Sequence, residues 1–542
     1  MTQTGTKQKT TLKMVDDIYT LVINSIKAMG RISSGGSTLT IAPVLKKFMV
    51  HFRRPSSYQG EYGFDWLRDE YIYPVETVAK DHSGNPHNAP LELCDDISSI
   101  KREYKTTDVL NPITPYGNDY YPAWLTLFPN TPEAQATHSS QIDTTGIDLN
   151  LKIEELEPLA TDATELQFES SNPNLIITPR KLALSSLLSG KGQDSLGGTD
   201  VRDYYLAINK VNIKCEGNIN AHTEIKVFAE LNSQREEVGK LMICKNDDYN
   251  DLTVDIYVIK SFINDDPSFS TSVIDTELAK IGGISKIEEY LNQRSLNQSL
   301  IKTRLIYDPK KDWVFRKKSL INASNSTHYS GMIINQTTME MDTAKYMNYI
   351  NDRFKLMYPR LTRSKALFLY ITPFFNSGVG GASYNIPLDS KHIIIFKKNI
   401  NHLPSYAHEI GHSLGLEHSF EDDTTKSNTS LIADQNTKIA TYTTELAKAR
   451  TDKTTHLNTN RAYYNSHPTE KTEAVRTLNH NIKVWKDALQ NANDEIQVIN
   501  NNALNFSPRK TENIMDYDLS NQKIFFKWQS KIMREEVKQY YH

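Results

Sequence analysis

The stretch SYAHEIGHSLGLEHSF, Ser405 to Phe420, constrains this chain more than any other segment of its 542 residues. His408 and His412 lie four apart, so on an α-helix their imidazoles sit on one face, one turn above the other. Two rings in that relation can grip one ion from two sides. Glu409 stands beside the first of them, close to where a water on such an ion would lie. Gly415 can end the helix in a left-handed conformation and turn the chain sharply, and His418 can then swing back as a third ligand. Three neutral imidazoles leave the fourth position of Zn²⁺ open to water, the arrangement of a catalytic rather than a structural zinc site. Glu417 falls outside this geometry and reads as a solvated surface charge. His392 and His402, just ahead of the cluster, are also outside it.

Composition narrows the setting. A chain of 542 residues exceeds what one core usually supports, and three to four domains are expected. Basic and acidic residues nearly balance, at a formal net charge of -3, so there is no polyanion footprint and no nucleic-acid partner is expected. Cys94, Cys215 and Cys244 are scattered and odd in number, which fits neither a disulfide framework nor a paired-cysteine metal site. Each reads as a buried, inert thiol. No membrane span is expected, because no apolar run approaches eighteen residues. No cleavable secretory signal is legible at the N-terminus, so export, where it occurs, is expected by a signal-independent route from the cytoplasm.

The pattern along the chain predicts a multidomain protein: mostly β N-terminal modules followed by an α+β domain that carries the histidine cluster. Residues 1–45 read as one amphipathic helix and a flexible SSGGST joint. Short alternating runs over 46–200 suggest a β-rich module, closed by a linker or long loop at SLLSGKGQDSLGGTD. Strand-like runs over 201–318 suggest a small β-sandwich. The region 319–542 then alternates helix and strand. Within it, 424–505 is a polar insertion. Its second half places Val475, Leu478, Ile482, Trp485, Leu489, Ala492, Ile496 and Ile499 at steps of three and four, a heptad seam. Ile432, Ile439, Tyr442, Leu446 and Ala449 keep a similar rhythm before a turn at NSHPTEK, so the insertion reads as an antiparallel helical hairpin, either a partner-binding arm or a spacer packed on itself.

HEIGHSLGLEH, followed near the C-terminus by NIMDY, resembles the signature of the metzincin zinc metallopeptidases, and in detail their pappalysin-like branch. The resemblance covers the region from about Ser319 onward, and the helical insertion departs from it. It implies zinc bound by His408, His412 and His418, with Glu409 as general base, and Met515 in the supporting turn beneath the metal. It also implies that Tyr517 ligates zinc or stabilises an oxyanion. The substrate would be a protein or peptide, aligned in extended form along a sheet edge for which GGASYNIPL is the candidate. Further upstream, FRRP, GEYGFDWLRDEYIYP, YGNDYYPAWLTLFP, VGKLMICKN and YLNQRSLNQSLI look like the non-catalytic region of proteins associated with type VI or related contractile injection systems in Bacteroidota. That likeness implies an effector or toxin with secretion-apparatus components and a cognate immunity protein as partners. A secreted nutritional or processing peptidase, and a structural injection-system component with an inactive peptidase domain, stand as the alternatives. Latency through Cys94 or Cys215 is open as well.

Overall fold

The structure is a computed structural model that describes residues 43–80, 86–159, 161–197, 200–317, 333–335, 338, 340–358, 361, 364–384, 390–420 and 428–541. Nearly all of the expected N-terminal helix and joint falls outside these residues. Lys46–His542 form one compact unit, distinct from Met1–Leu45.

Two sheets organise this unit. The larger has eleven strands and runs Lys191–Ser195, Val201–Cys215, Ile147–Glu155, Phe48–Arg53, Gln234–Ile243, Thr223–Leu231, Glu165–Glu169, Lys181–Ala183, with three short strands off that path. Neighbours along that path are antiparallel except Phe48–Arg53 beside Gln234–Ile243, where Val50 faces Gly239 in parallel, and off the path Ala123–Thr126 also runs parallel to Gln234–Ile243. Thr223–Leu231 shows the cause of its own placement: from Ile225 onward every second residue is buried, so one face meets the core and the other is partly wet.

The second sheet has six strands in the order Lys302–Tyr307, Thr253–Ile263, Ala366–Ile371, His392–Ile395, Gly381–Ala382, with Trp313–Phe315 also paired to Thr253–Ile263. All pairs are parallel except the last, where the edge strand Gly381–Ala382 runs antiparallel to His392–Ile395. Ala366–Ile371, ALFLYI, is buried at all six positions, as a central strand covered on both faces requires. Its two faces serve different partners. Leu367, Leu369 and Ile371 pack with Tyr406 and Ile410 of the helix Leu403–Ser413. Phe368 and Tyr370 pack with Met347, Ile350 and Phe354 of the helix Thr343–Met357.

This topology corrects the expected domain boundaries. Strands drawn from 46–200 and 201–318 share the eleven-stranded sheet, so no boundary separates them near 200. The strands expected to make a separate β-sandwich over 201–318 are divided: three join the first sheet, and Thr253–Ile263, Lys302–Tyr307 and Trp313–Phe315 join the second. The sheet that carries the histidine cluster therefore begins near 253, not 319. The stretch read as a linker contains the strand Lys191–Ser195, which pairs with Val201–Tyr205 as a hairpin. Its KGQDS residues are polar and lie at a sheet edge, where no hydrophobic alternation is needed to mark them.

The insertion forms two long helices, Asn428–Thr459 and Pro468–Asn501, which pack against each other, with a short helix Arg461–Ser466 at the turn. All eight predicted seam residues from Val475 to Ile499 are buried or half-buried, and Trp485 meets Tyr442 across the seam at 5.9 Å. No helix among the described residues is long and apolar enough to cross a membrane.

Candidate metal centre

Leu403–Ser413 is a helix of eleven residues in which eight are buried, so its position is dictated by what surrounds it. Pro404 lies in its first turn, where a missing N–H costs nothing. At its far end Gly415 takes φ +86°, the left-handed turn that reverses the chain toward His418.

His408, His412 and His418 converge as the spacing predicts, each offering a ring nitrogen within 4.8 Å of the others. Among the described residues this is the only cluster of its kind. The second nitrogens of His408 and His412 are already engaged. His408 Nδ1 lies 2.8 Å from the Ile514 carbonyl and His412 Nδ1 lies 2.7 Å from the Leu416 carbonyl. A carbonyl only accepts, so both Nδ1 atoms carry the hydrogen and both Nε2 lone pairs are free for an ion. His412 Nε2 and His418 Nε2 stand 3.2 Å apart.

Burial holds all three imidazoles neutral. It lowers His408 to about 4 and His418 to about 3, and pushes His412 well down, with the neighbouring rings adding to the last two. Neutral rings with inward lone pairs are the donor set a divalent ion needs, and the cluster can hold one.

Glu409 follows His408 on the same buried helix, and its carboxylate meets the edge strand. Ser383 Oγ donates to its Oε2 at 2.8 Å and Ser383 belongs to the loop that follows the edge strand. A Cβ on Gly381 would come within 2.5 Å of Glu409 Oε1, so that strand position accepts only glycine without rearrangement. Burial pushes the Glu409 carboxyl up to about 8, against the pull of the Ser383 hydrogen bond.

Met515 is fully buried beneath the helix, and a Cβ on Gly411 would meet its sulfur at 2.7 Å. Gly411 thus lets the turn come up under the histidines. Tyr517 is 39 % exposed, with its hydroxyl 3.0 Å from His418 Nε2. The residue between them holds the turn. Asp516, 1 % exposed, accepts from the backbone N–H groups of Arg509, Lys510 and Thr511 at 2.7, 3.2 and 2.8 Å, and from Thr511 Oγ1 at 2.7 Å. Gln522 Nε2 donates to the carbonyls of Ile514 and Asp516.

Sequence reasoning missed Ser383, Gly411, Asp516 and Gln522. Asp516 had a signal: an acidic residue inside NIMDY, in a stretch with no cation beside it. Ser383 acts on Glu409 across 26 residues, Gln522 acts within an irregular turn that carries no periodic pattern, and neither had one. His392 and His402 stay outside the cluster, as expected. His392 is packed among Phe354, Phe368 and Tyr370, and His402 Nδ1 lies 2.8 Å from Ser405 Oγ. Glu417 is half-buried rather than solvated, because its segment folds against the base of the insertion, where its N–H donates to Asn502 Oδ1. Cys94 and Cys215 are buried, and Cys244 is half-buried.

No protein-family model and no curated protein matches the sequence. A solved structure described as that of a chaperone–substrate complex is similar at 11 % identity and a TM-score of 0.19, over 44 % of this chain. The match spans 31 % of that chain, and at this score it carries no argument about fold or function.

Proposed function

We propose that the protein is a zinc-dependent endopeptidase. The observation that carries this reading is the joint geometry of His408, His412 and His418 with Glu409 at their side and Tyr517 at their rim. Zinc held by the three imidazoles would supply a Lewis acid for the scissile carbonyl and lower the pKa of a water to roughly 7. Glu409 then takes a proton from the attacking water and hands it to the leaving amine. Burial pushes this carboxyl up to about 8, and a cation held by the neighbouring histidines would draw it back toward the ionised form that a base needs. Ser383 holds the carboxylate in place. The Tyr517 hydroxyl, 3.0 Å from His418 Nε2 at the rim of the cluster, would donate to a developing oxyanion.

The substrate chain would lie along Gly381–Ala382, which ends the sheet and has one side unpaired by any strand among the described residues. An extended peptide added there by backbone hydrogen bonds runs past Glu409. Delivery as an effector by a contractile secretion apparatus is the setting we infer from the likeness of the upstream motifs. Its partners would be apparatus components and an immunity protein.

The test is hydrolysis of an unstructured protein such as casein by the full chain and by Glu409→Ala. Cleavage by the intact chain alone, with the variant reduced at least about a hundredfold, is expected. Equal activity in both would overturn the assigned role of Glu409, and zinc without cleavage in either would overturn the peptidase reading.

A further inference from the structure

Three residues distant in sequence meet in a buried ion cluster directly upstream of the turn beneath the histidines. Arg54 follows the strand Phe48–Arg53, Arg68 follows the strand Gly63–Asp65, and both belong to the N-terminal sheet region. Arg68 Nε donates to Glu512 Oε1 at 3.1 Å and Arg54 pairs with Glu512 Oε2. Arg68 also reaches Asp65 at 3.0 Å and stacks on Trp66 at 4.1 Å, while Arg54 stacks on Tyr58 at 4.5 Å. The side chains of Arg68, Arg54 and Glu512 are 5, 12 and 13 % exposed. Burial pushes the Glu512 carboxyl up, but Arg68 and Arg54 outweigh it and hold it below the ordinary glutamate range, so it is ionised at neutral pH.

Glu512 has a short route to a metal ligand. Its carbonyl accepts from Lys523 N at 2.9 Å and Ile524 N at 3.2 Å, and Ile514 N donates to Ile524 O at 2.8 Å. These bonds tie Glu512–Ile514 into one rigid bridge with Ile524. At the other end of that bridge the Ile514 carbonyl accepts from His408 Nδ1. An acceptor that fixes the tautomer and direction of a ligating imidazole sets how well the ion is held.

We propose that Arg54, Arg68 and Glu512 are positioning residues for the metal centre, through which the N-terminal sheet sets the aim of His408. The N-terminal region is then a working part of the site and not only a module attached to it. This rests on the reading of the histidine cluster as a metal centre.

The experiment measures zinc affinity of the full-length folded protein by competition with a chromophoric chelator, alongside thermal stability. Glu512→Gln is expected to weaken zinc binding tenfold or more, within the roughly 10- to 100-fold typical for outer partners of a ligand. Arg54→Gln should weaken it less, with Arg54→Lys restoring part of the loss, and these milder variants serve where Glu512→Gln does not fold. Glu154→Gln is the control. It removes a buried carboxylate, paired with His51 and Arg202, from the same sheet but without a hydrogen bond to Arg54, Arg68 or Glu512 among the described residues, and should leave affinity unchanged. Lower stability with unchanged zinc affinity in Glu512→Gln and Arg54→Gln would overturn the proposal, as would an equal loss in Glu154→Gln. Absence of zinc binding in the intact chain would overturn the metal-centre reading itself, and the proposal with it.

Discussion

The helix Leu403–Ser413 and the helical hairpin that follows it solve the same problem in opposite ways. The first buries eight of eleven residues, whereas Pro468–Asn501 buries three of thirty-four. The short helix is too brief to be stable alone and is held by contacts from every side: the sheet through Tyr406 and Ile410, the turn through Met515, and Asn399 through Ser405. The hairpin is held by its own seam and by its base, where Asn502 Nδ2 donates to the Gly415 carbonyl at 2.9 Å. Precision of the histidines comes from the first kind of construction. Reach into solvent comes from the second.

Substitutions in the two regions should therefore separate. The largest effect is expected from Asp516→Asn, which removes the charge from an acceptor that gathers four hydrogen bonds from residues 509–511. A loss of about 3 kcal/mol is expected, with weakened zinc binding alongside it, read by denaturant unfolding and chelator competition. Trp485→Ala in the hairpin seam should cost about 2 kcal/mol in thermal or denaturant unfolding, since the ring is only half-buried, and should leave zinc affinity untouched. A variant at Trp485 that disturbed the metal would erase the distinction drawn between the regions.

Per pH unit, the smallest step is electrostatic. His392, in the strand His392–Ile395 against Phe354 and Phe368, has its pKa lowered to about 3 by burial, with Lys355 and Lys391 adding to the effect. The unfolded chain takes up this proton near pH 6.5 and the folded one does not until about pH 3. Its contribution is therefore complete above pH 6.5 and is lost as pH falls between the two values. The slope is about 1.4 kcal/mol per pH unit, and His392→Phe should flatten it in metal-free protein followed by unfolding midpoint against pH.

How much of this was legible in the sequence divides along the same line. His408, Glu409, His412, Gly415 and His418 could be read because their geometry is local: one helix and one turn bring them together. The hairpin could be read for the same reason, since a heptad seam repeats within a single segment. The sheets could not. Val201–Cys215 pairs with Ile147–Glu155, and Thr253–Ile263 pairs with Ala366–Ile371, across separations that no short-range pattern records. The expected boundaries near 200 and 318 followed changes in composition, while the topology follows pairing. Arg54, Arg68 and Glu512 lie further out of reach, because a buried charge shows no periodicity and its partner is more than 440 residues away.

His408, His412 and His418 are proposed to hold one divalent ion. Zinc content of the purified full chain after dialysis, measured by atomic emission beside His412→Ala, tests it most directly. One zinc per intact chain, and its loss from the variant, is the expected result. An intact chain without zinc, or a variant that retains it in full, would show that these three histidines do not hold the ion.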